Sequence, residues 1–103
     1  MSDTGWKIGY QDEKHKKKIE KGYQSDTLMR KKWKDFETDV TQNPYYHTKV
    51  NRIVKIRDTK SFPKGTYRYR NDPIRVVYYP EKMDKIVYPL EVATATTVSY
   101  KKR

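Results

Sequence analysis

The sequence predicts an α+β fold in which an N-terminal strand and a two-helix hairpin pack on a small, mainly antiparallel sheet. Three observations predict this fold: an alternating apolar pattern near the start, an apolar stripe at helical spacing before the middle, and strand-like runs joined by turn residues in the second half. A chain of 103 residues is large enough for one modest core. We therefore expect a single domain over residues 1–103, with no internal boundary.

The first strand and the first helix are expected in direct succession. Trp6-Lys7-Ile8-Gly9-Tyr10 alternates large apolar residues with small or polar ones, which predicts a short strand with its apolar side chains facing the core. Asp12 is a candidate N-cap for a basic helix over Glu13–Lys21, and Gly22 is placed to end that helix. We expect His15 to be a packed or exposed helix residue rather than a catalytic one.

A second helix is expected from a cap at Ser25 or Asp26 to about Gln42, where Asn43-Pro44 stops it. Its large apolar residues recur every three or four positions, which predicts a face buried in the core. These residues are Met29, Trp33, Phe36 and Val40.

The pattern is weaker between residues 45 and 60. Four aliphatic residues there indicate a short strand or an extended segment against the core: Val50, Ile53, Val54 and Ile56. His47 lies in the loop after the second helix, where a histidine without a catalytic role is the simpler interpretation.

The segment from Tyr67 to Tyr79 predicts a β-hairpin, because Asn71-Asp72-Pro73 is strong turn chemistry between two alternating runs. Side chains alternate across a strand, so Arg68 and Arg70 share one face and the neighbouring tyrosines share the other. A short loop would bring Arg75 opposite Arg70, where like charges destabilise the pair unless an anion lies between them. Guanidinium groups bind phosphate with two parallel hydrogen bonds, so the three arginines are a candidate phosphate clamp; a solvated basic face is the alternative interpretation.

A further strand is expected after the polar turn Glu81-Lys82-Met83-Asp84, over Lys85 to Val92. Pro89 within it cannot donate a ladder hydrogen bond, so we expect a bulge or an edge position there. Val98-Ser99-Tyr100 is expected to extend or follow this last strand.

Composition indicates an aromatic core and an acidic partner. Hydrophobic residues make up only 34% of the chain, so much of the interior must come from the 10 Tyr, 2 Trp and 2 Phe. The net charge of +11 predicts binding to nucleic acid, to an anionic protein or, less readily, to a membrane surface.

The absence of cysteine excludes disulfides and cysteine-based zinc sites, and it is compatible with a reducing cytoplasm. Two histidines leave little scope for a metal site, and we expect no small-molecule cofactor. No apolar run approaches the ~20 residues of a membrane span, and the start of the chain has no apolar signal core. We therefore expect a cytoplasmic protein that does not enter a membrane.

Three segments in the last third of the chain are similar to a known family: Gly65-Thr66-Tyr67-Arg68-Tyr69-Arg70, Ile74-Arg75-Val76-Val77-Tyr78 and Val98-Ser99-Tyr100. In these segments the chain resembles the RelE/ParE superfamily, the toxins of type II toxin–antitoxin pairs. That family has a G-x-Y-R-x-R segment, then a Y-R-V-x-Y segment, then a strand and a terminal tyrosine. The order of predicted elements extends the similarity over nearly the whole chain.

In the RelE-like branch, the resemblance implies cleavage of mRNA in the ribosomal A site by attack of a ribose 2′-OH on the adjacent phosphate. Arg68, Arg70 and Arg75 match the basic positions of the family, and Tyr100 matches its terminal tyrosine, with a role in stacking, ribose positioning or proton transfer. Basic residues on either side of the hairpin are candidate RNA-binding residues: Lys55, Arg57, Lys101 and Lys102. The resemblance also implies an acidic antitoxin as a partner, besides mRNA on the ribosome.

The sequence departs from the family pattern just before Tyr100. Nuclease members carry an arginine or a histidine near that tyrosine, whereas residues 94–99 contain neither. The acid that protonates the leaving 5′-oxygen is therefore unassigned, with Lys101 and His47 as the available substitutes. Two alternatives follow: a ParE-like toxin that inhibits DNA gyrase by binding alone, and a non-catalytic RNA-binding protein.

Overall fold

The computed structural model describes residues 5–56 and 61–94, which form two α-helices and a five-stranded mixed sheet. The elements in chain order are β1 (Lys7–Ile8), α1 (Glu13–Lys21), α2 (Thr27–Gln42), β2 (Ile53–Lys55), β3 (Tyr67–Asn71), β4 (Ile74–Glu81) and β5 (Ile86–Thr94). The sheet order is β1-β5-β4-β3-β2. β1 pairs with β5 in parallel and all other neighbours pair antiparallel, so the predicted α+β class and the mainly antiparallel sheet are confirmed.

Both helices begin where the sequence predicts. The carboxylate of Asp12 accepts a hydrogen bond from the His15 backbone N–H, and that of Asp26 accepts one from the Met29 backbone N–H. Each cap satisfies one of the free N–H groups that a helix start exposes. Asp26 rather than Ser25 is thus the cap of α2.

The core lies between the helices and one face of the sheet. Four of its ten buried hydrophobic residues in the described part of the chain are aromatic, so the core is mixed rather than mainly aromatic as composition predicts. The ring of Phe36 is fully buried and lies 5.2 Å from that of Tyr69 and 5.6 Å from that of Tyr78, both in edge-on geometry. The Trp33 ring is 4.8 Å from Phe36 on its other side. The four apolar residues predicted to line α2 are all buried, so the helix packs through the expected stripe.

Gly22 ends α1, as predicted, and steric crowding explains why this position is a glycine. Its φ of −73° is accessible to any residue, so the left-handed conformation is not required. A Cβ at this position would lie 3.0 Å from the Cβ of Val92 and 3.2 Å from the Ile19 carbonyl oxygen. Glycine therefore permits the close approach of α1 to β5.

The structure corrects the prediction for Val50 and confirms the one for Pro89. The aliphatic run after α2 forms β2 at the edge of the sheet, but Val50 is 86% exposed, so its predicted place against the core was wrong. Val50 lies in the loop before β2, whereas Ile53 within that strand packs against the core. Pro89 is accommodated at an irregularity where the β4–β5 register shifts between Val77 and Tyr78, so the predicted bulge is confirmed.

β5 ends at Thr94 in the described part of the chain, and the predicted extension through Tyr100 lies outside the described residues. Neither α1 nor α2 is long and apolar enough to cross a membrane.

Candidate functional site

The predicted arginine cluster lies on the face of the sheet opposite the helices. Arg70 of β3 is directly opposite Arg75 of β4, so the cross-strand pair predicted from the Asn71-Asp72-Pro73 turn is confirmed. Arg68 is opposite Val77 and shares this face with the other two arginines, because side chains alternate along each strand. We call this surface the arginine face, defined by Arg68, Arg70 and Arg75.

Two guanidinium nitrogens of the arginine face are buried and unpaired within the described part of the chain. Within the described residues, Arg68 Nε and Arg75 Nε are buried from water and make no hydrogen bond. Burial lowers the pKa of Arg68, and the neighbouring charges of Arg75 and Arg70 lower it further. The guanidinium still carries its charge at neutral pH, so the lowered pKa means that this charge is held in an unfavourable environment.

The carboxylate of Asp72 partly offsets the positive charges of Arg70 and Arg75. Asp72 Oδ1 lies 3.4 Å from Arg70 Nε and 3.6 Å from Arg75 Nη2. Asp72 is 57% exposed in the turn, so this shared ion pair is screened by solvent. Glu91, opposite Val77 on β5, lies on the same face and is exposed.

The strand that carries Arg68 and Arg70 is fixed from its opposite face. Tyr69 is fully buried, and its hydroxyl donates a 2.7 Å hydrogen bond to Asp39 Oδ2 on α2. Burial and this hydrogen bond both raise the pKa of Tyr69, so the hydroxyl remains a donor. The Arg70 backbone N–H donates to the Arg52 carbonyl at 2.8 Å, which ties β3 to the segment before β2. The arginines therefore project from a rigid support, as a preorganised binding site requires.

Both histidines lie away from the arginine face. His47 Nδ1 accepts a 3.0 Å hydrogen bond from the Lys49 backbone N–H, and its Nε2 lies 3.5 Å from Asp39 Oδ1. His15 Nε2 is 2.8 Å from the carbonyl oxygen of Pro89, which can only accept, so this nitrogen carries the proton. These contacts support the simpler interpretation of both residues, in which neither moves a proton at the arginines.

A polar cleft that the sequence did not predict lies beside the arginine face, at the turn end of β3. It has a volume of about 310 Å³ and is lined by Lys32, Asp35, Asp39, His47, Lys49, Arg52 and Asn71. A second depression of about 300 Å³ adjoins it, shares Arg52 and Asn71 with it, and includes Arg70 and Asp72. We call the first of these the α2–β3 cleft.

Three of the residues that line the cleft have a recognisable spacing in the sequence. Lys32, Asp35 and Asp39 have the spacing i, i+3, i+7, which places them along one polar face of α2. Nothing local indicates that Arg52 and Asn71 complete the cleft, because the pairing of β3 with the segment around β2 and the packing of α2 on the sheet bring them there.

Of the four predicted RNA-binding residues, the structure describes Lys55, and it does not bring this residue to the arginines. Lys55 is exposed and paired with Tyr67, so it points to the helix side of the sheet, opposite the arginine face. The other four predicted site residues lie outside the described residues: Arg57, Tyr100, Lys101 and Lys102.

Across residues 5–56 and 61–94, no three His, Asp or Glu side chains are grouped so that they could hold a metal ion. A scan against models of protein families gave no match, and a comparison with curated proteins gave none either. The geometry of the arginine face and of the α2–β3 cleft is therefore the basis for functional inference.

Proposed function

We propose that this chain is a RelE-like toxin, a cytoplasmic, metal-independent endoribonuclease that cleaves mRNA on the ribosome. The observation that carries the proposal is the arginine face, where two buried Nε–H donors have no partner among residues 5–56 and 61–94. Buried donors are normally satisfied, and exceptions occur where a ligand completes the site. A phosphodiester would accept hydrogen bonds from the guanidinium groups of the arginine face and would relieve the repulsion between Arg70 and Arg75.

The proposed reaction forms a bond between the ribose 2′-oxygen and phosphorus and breaks the bond from phosphorus to the 5′-oxygen. A base takes the proton of the 2′-OH, and an acid gives one to the leaving oxygen. Arg68, Arg70 and Arg75 would stabilise the charge that develops on the non-bridging oxygens. Tyr100 and Lys101 are the proposed proton-transfer and positioning groups, since both histidines are engaged elsewhere.

An acidic antitoxin is part of the proposal. The net charge of +11 and the three clustered arginines favour an anionic protein that neutralises this surface when the toxin is inactive.

A second candidate is a non-catalytic RNA-binding protein. The position of His15 and His47 favours it, because both are held by contacts on the helix side of the sheet. Such a protein would need the arginine face for phosphate binding and no acid or base beside it.

Induced expression in a bacterial host tests the proposal, with growth and mRNA 5′ ends followed for wild type and for Arg75→Ala. We expect growth arrest with new cleavage sites at fixed codon positions, and neither should occur in Arg75→Ala because a charge-stabilising group is removed. Lys82→Ala, in the β4–β5 turn, removes one positive charge elsewhere and is the matched control. Arrest with intact mRNA would contradict the nuclease and favour a ParE-like gyrase inhibitor, and no arrest would favour the non-catalytic RNA-binding protein.

A further inference from the structure

The α2–β3 cleft and the adjoining depression share Arg52 and Asn71, and the depression also includes Arg70 of the arginine face. A strand of RNA with a phosphate on Arg70 would reach the cleft by passing around the turn end of β3, which carries both Arg70 and Asn71. A volume of about 310 Å³ is at the lower end of the roughly 300–1,000 Å³ of small-ligand sites, so the cleft has room for one nucleoside and not for a duplex.

The lining of the cleft has mixed hydrogen-bonding character. Lys32, Lys49 and Arg52 supply donors, and their charges are offset by two carboxylates, so the cleft is less suited to a bare phosphate than the arginine face is. A nucleobase edge, which presents donors and acceptors side by side, matches such a lining.

The two carboxylates of the cleft, Asp35 and Asp39, differ in how far their oxygens are already engaged by other side chains. Asp39 accepts from the Tyr69 hydroxyl at 2.7 Å and lies 3.5 Å from His47 Nε2, so both its oxygens are engaged. Asp35 is exposed, and it accepts one long contact of 3.4 Å, from the side-chain amide of Asn71. Asp35 is therefore the acceptor in the cleft that is available to a ligand.

We propose that the α2–β3 cleft binds the nucleoside next to the phosphate held by the arginine face, and that Asp35 selects a base with an exocyclic amino group. The inference rests on the proposed function, because it takes single-stranded RNA as the ligand. Adenine, cytosine and guanine carry an exocyclic amino donor for a carboxylate, whereas uracil has a carbonyl oxygen in place of the amino group of cytosine, and its one base donor, N3–H, lies between two carbonyl oxygens that a carboxylate repels. Asp35 is a specificity-determining residue in this scheme, and the arginines are the phosphate-binding ones.

Short oligo(C) and oligo(U) of equal length test the inference, since cytosine has an amino group at the position where uracil has a carbonyl. We expect wild type to bind oligo(C) about tenfold more tightly, the effect of one hydrogen bond to a charged group. In Asp35→Asn the preference should disappear, because an amide can present either its oxygen or its NH2 group. Asp84→Asn, in the β4–β5 turn, changes the net charge by the same amount and should keep the preference.

The outcomes separate the cleft from the arginine face. Equal binding of oligo(C) and oligo(U) by wild type, or a preference that survives in Asp35→Asn, would overturn the role of Asp35. If that binding is nevertheless abolished in Arg75→Ala, the arginine face stands and the cleft proposal alone fails. If neither oligonucleotide binds, the RNA function and the cleft proposal both fail.

Discussion

The two faces of the β3–β4 hairpin differ in whether their buried polar groups are hydrogen-bonded. On the helix side, Tyr69 donates to Asp39, and Tyr78 donates to the Pro44 carbonyl at 2.6 Å. On the arginine face, Arg68 Nε and Arg75 Nε are buried and have no partner among the residues that the structure describes. One face of the hairpin therefore stabilises the fold, and the other carries polar groups that a ligand would have to satisfy.

The largest expected effect comes from breaking the helix side at Phe36, whose ring contacts Trp33, Tyr69 and Tyr78. Phe36→Ala should lower the free energy of unfolding by about 3–5 kcal/mol, because it removes a buried ring and leaves a cavity. That is a large share of the roughly 5–15 kcal/mol that stabilises a typical domain. Chemical denaturation followed by circular dichroism measures it, and a decrease below about 1 kcal/mol would contradict the central position of Phe36 in the core.

An effect of the opposite sign is expected on the arginine face. Arg68→Met keeps a long apolar stem but removes a buried, unpartnered donor and a charge next to Arg70 and Arg75. The free energy of unfolding should rise by about 1 kcal/mol, the penalty of one unsatisfied buried group. Lys82→Met is the control, and it should leave stability unchanged; a fall in the stability of Arg68→Met would show that the arginine supports the fold.

The smallest expected effect is a change in stability at alkaline pH, and it concerns Tyr23 on the helix side of the sheet. Burial raises the pKa of Tyr23, and Tyr10, Glu20 and Glu37 raise it further. Above pH about 10 the unfolded chain loses this proton while the folded chain keeps it, so stability falls as the pH rises.

Tyr23→Phe keeps the ring, which stacks on Trp33 at 4.3 Å, and removes the ionisable hydroxyl. Its midpoint of alkaline unfolding should be higher than that of wild type, with little change in stability at neutral pH. Tyr46→Phe, at a position that is 63% exposed, should leave the midpoint unchanged. Equal midpoints for Tyr23→Phe and wild type would contradict the assigned burial.

The parts of the fold that local chemistry specifies were predictable from the sequence. The Asn71-Asp72-Pro73 turn sets the hairpin register, and with it the pairing of Arg70 and Arg75. The caps and the apolar stripe of α2 are similarly local. The side to which Lys55 points was not predictable, because it depends on the register with which β2 pairs with β3.

The residues that line the α2–β3 cleft were likewise only partly predictable from the sequence. The spacing of Lys32 and Asp35 places them on one face of α2, yet nothing local brings Asn71 and Arg52 to that face. Tertiary pairing assembles the cleft, so single-sequence patterns identify its members only in part.

The measurement that tests the central claim most directly is the affinity of Arg68→Met for single-stranded RNA over a range of salt concentrations. If the arginine face is a phosphate clamp, the more stable variant should bind more weakly. Its dependence of log K on log salt should also be shallower by about 0.7, because the variant neutralises one phosphate fewer than wild type does. Unchanged affinity and an unchanged salt slope would contradict the clamp.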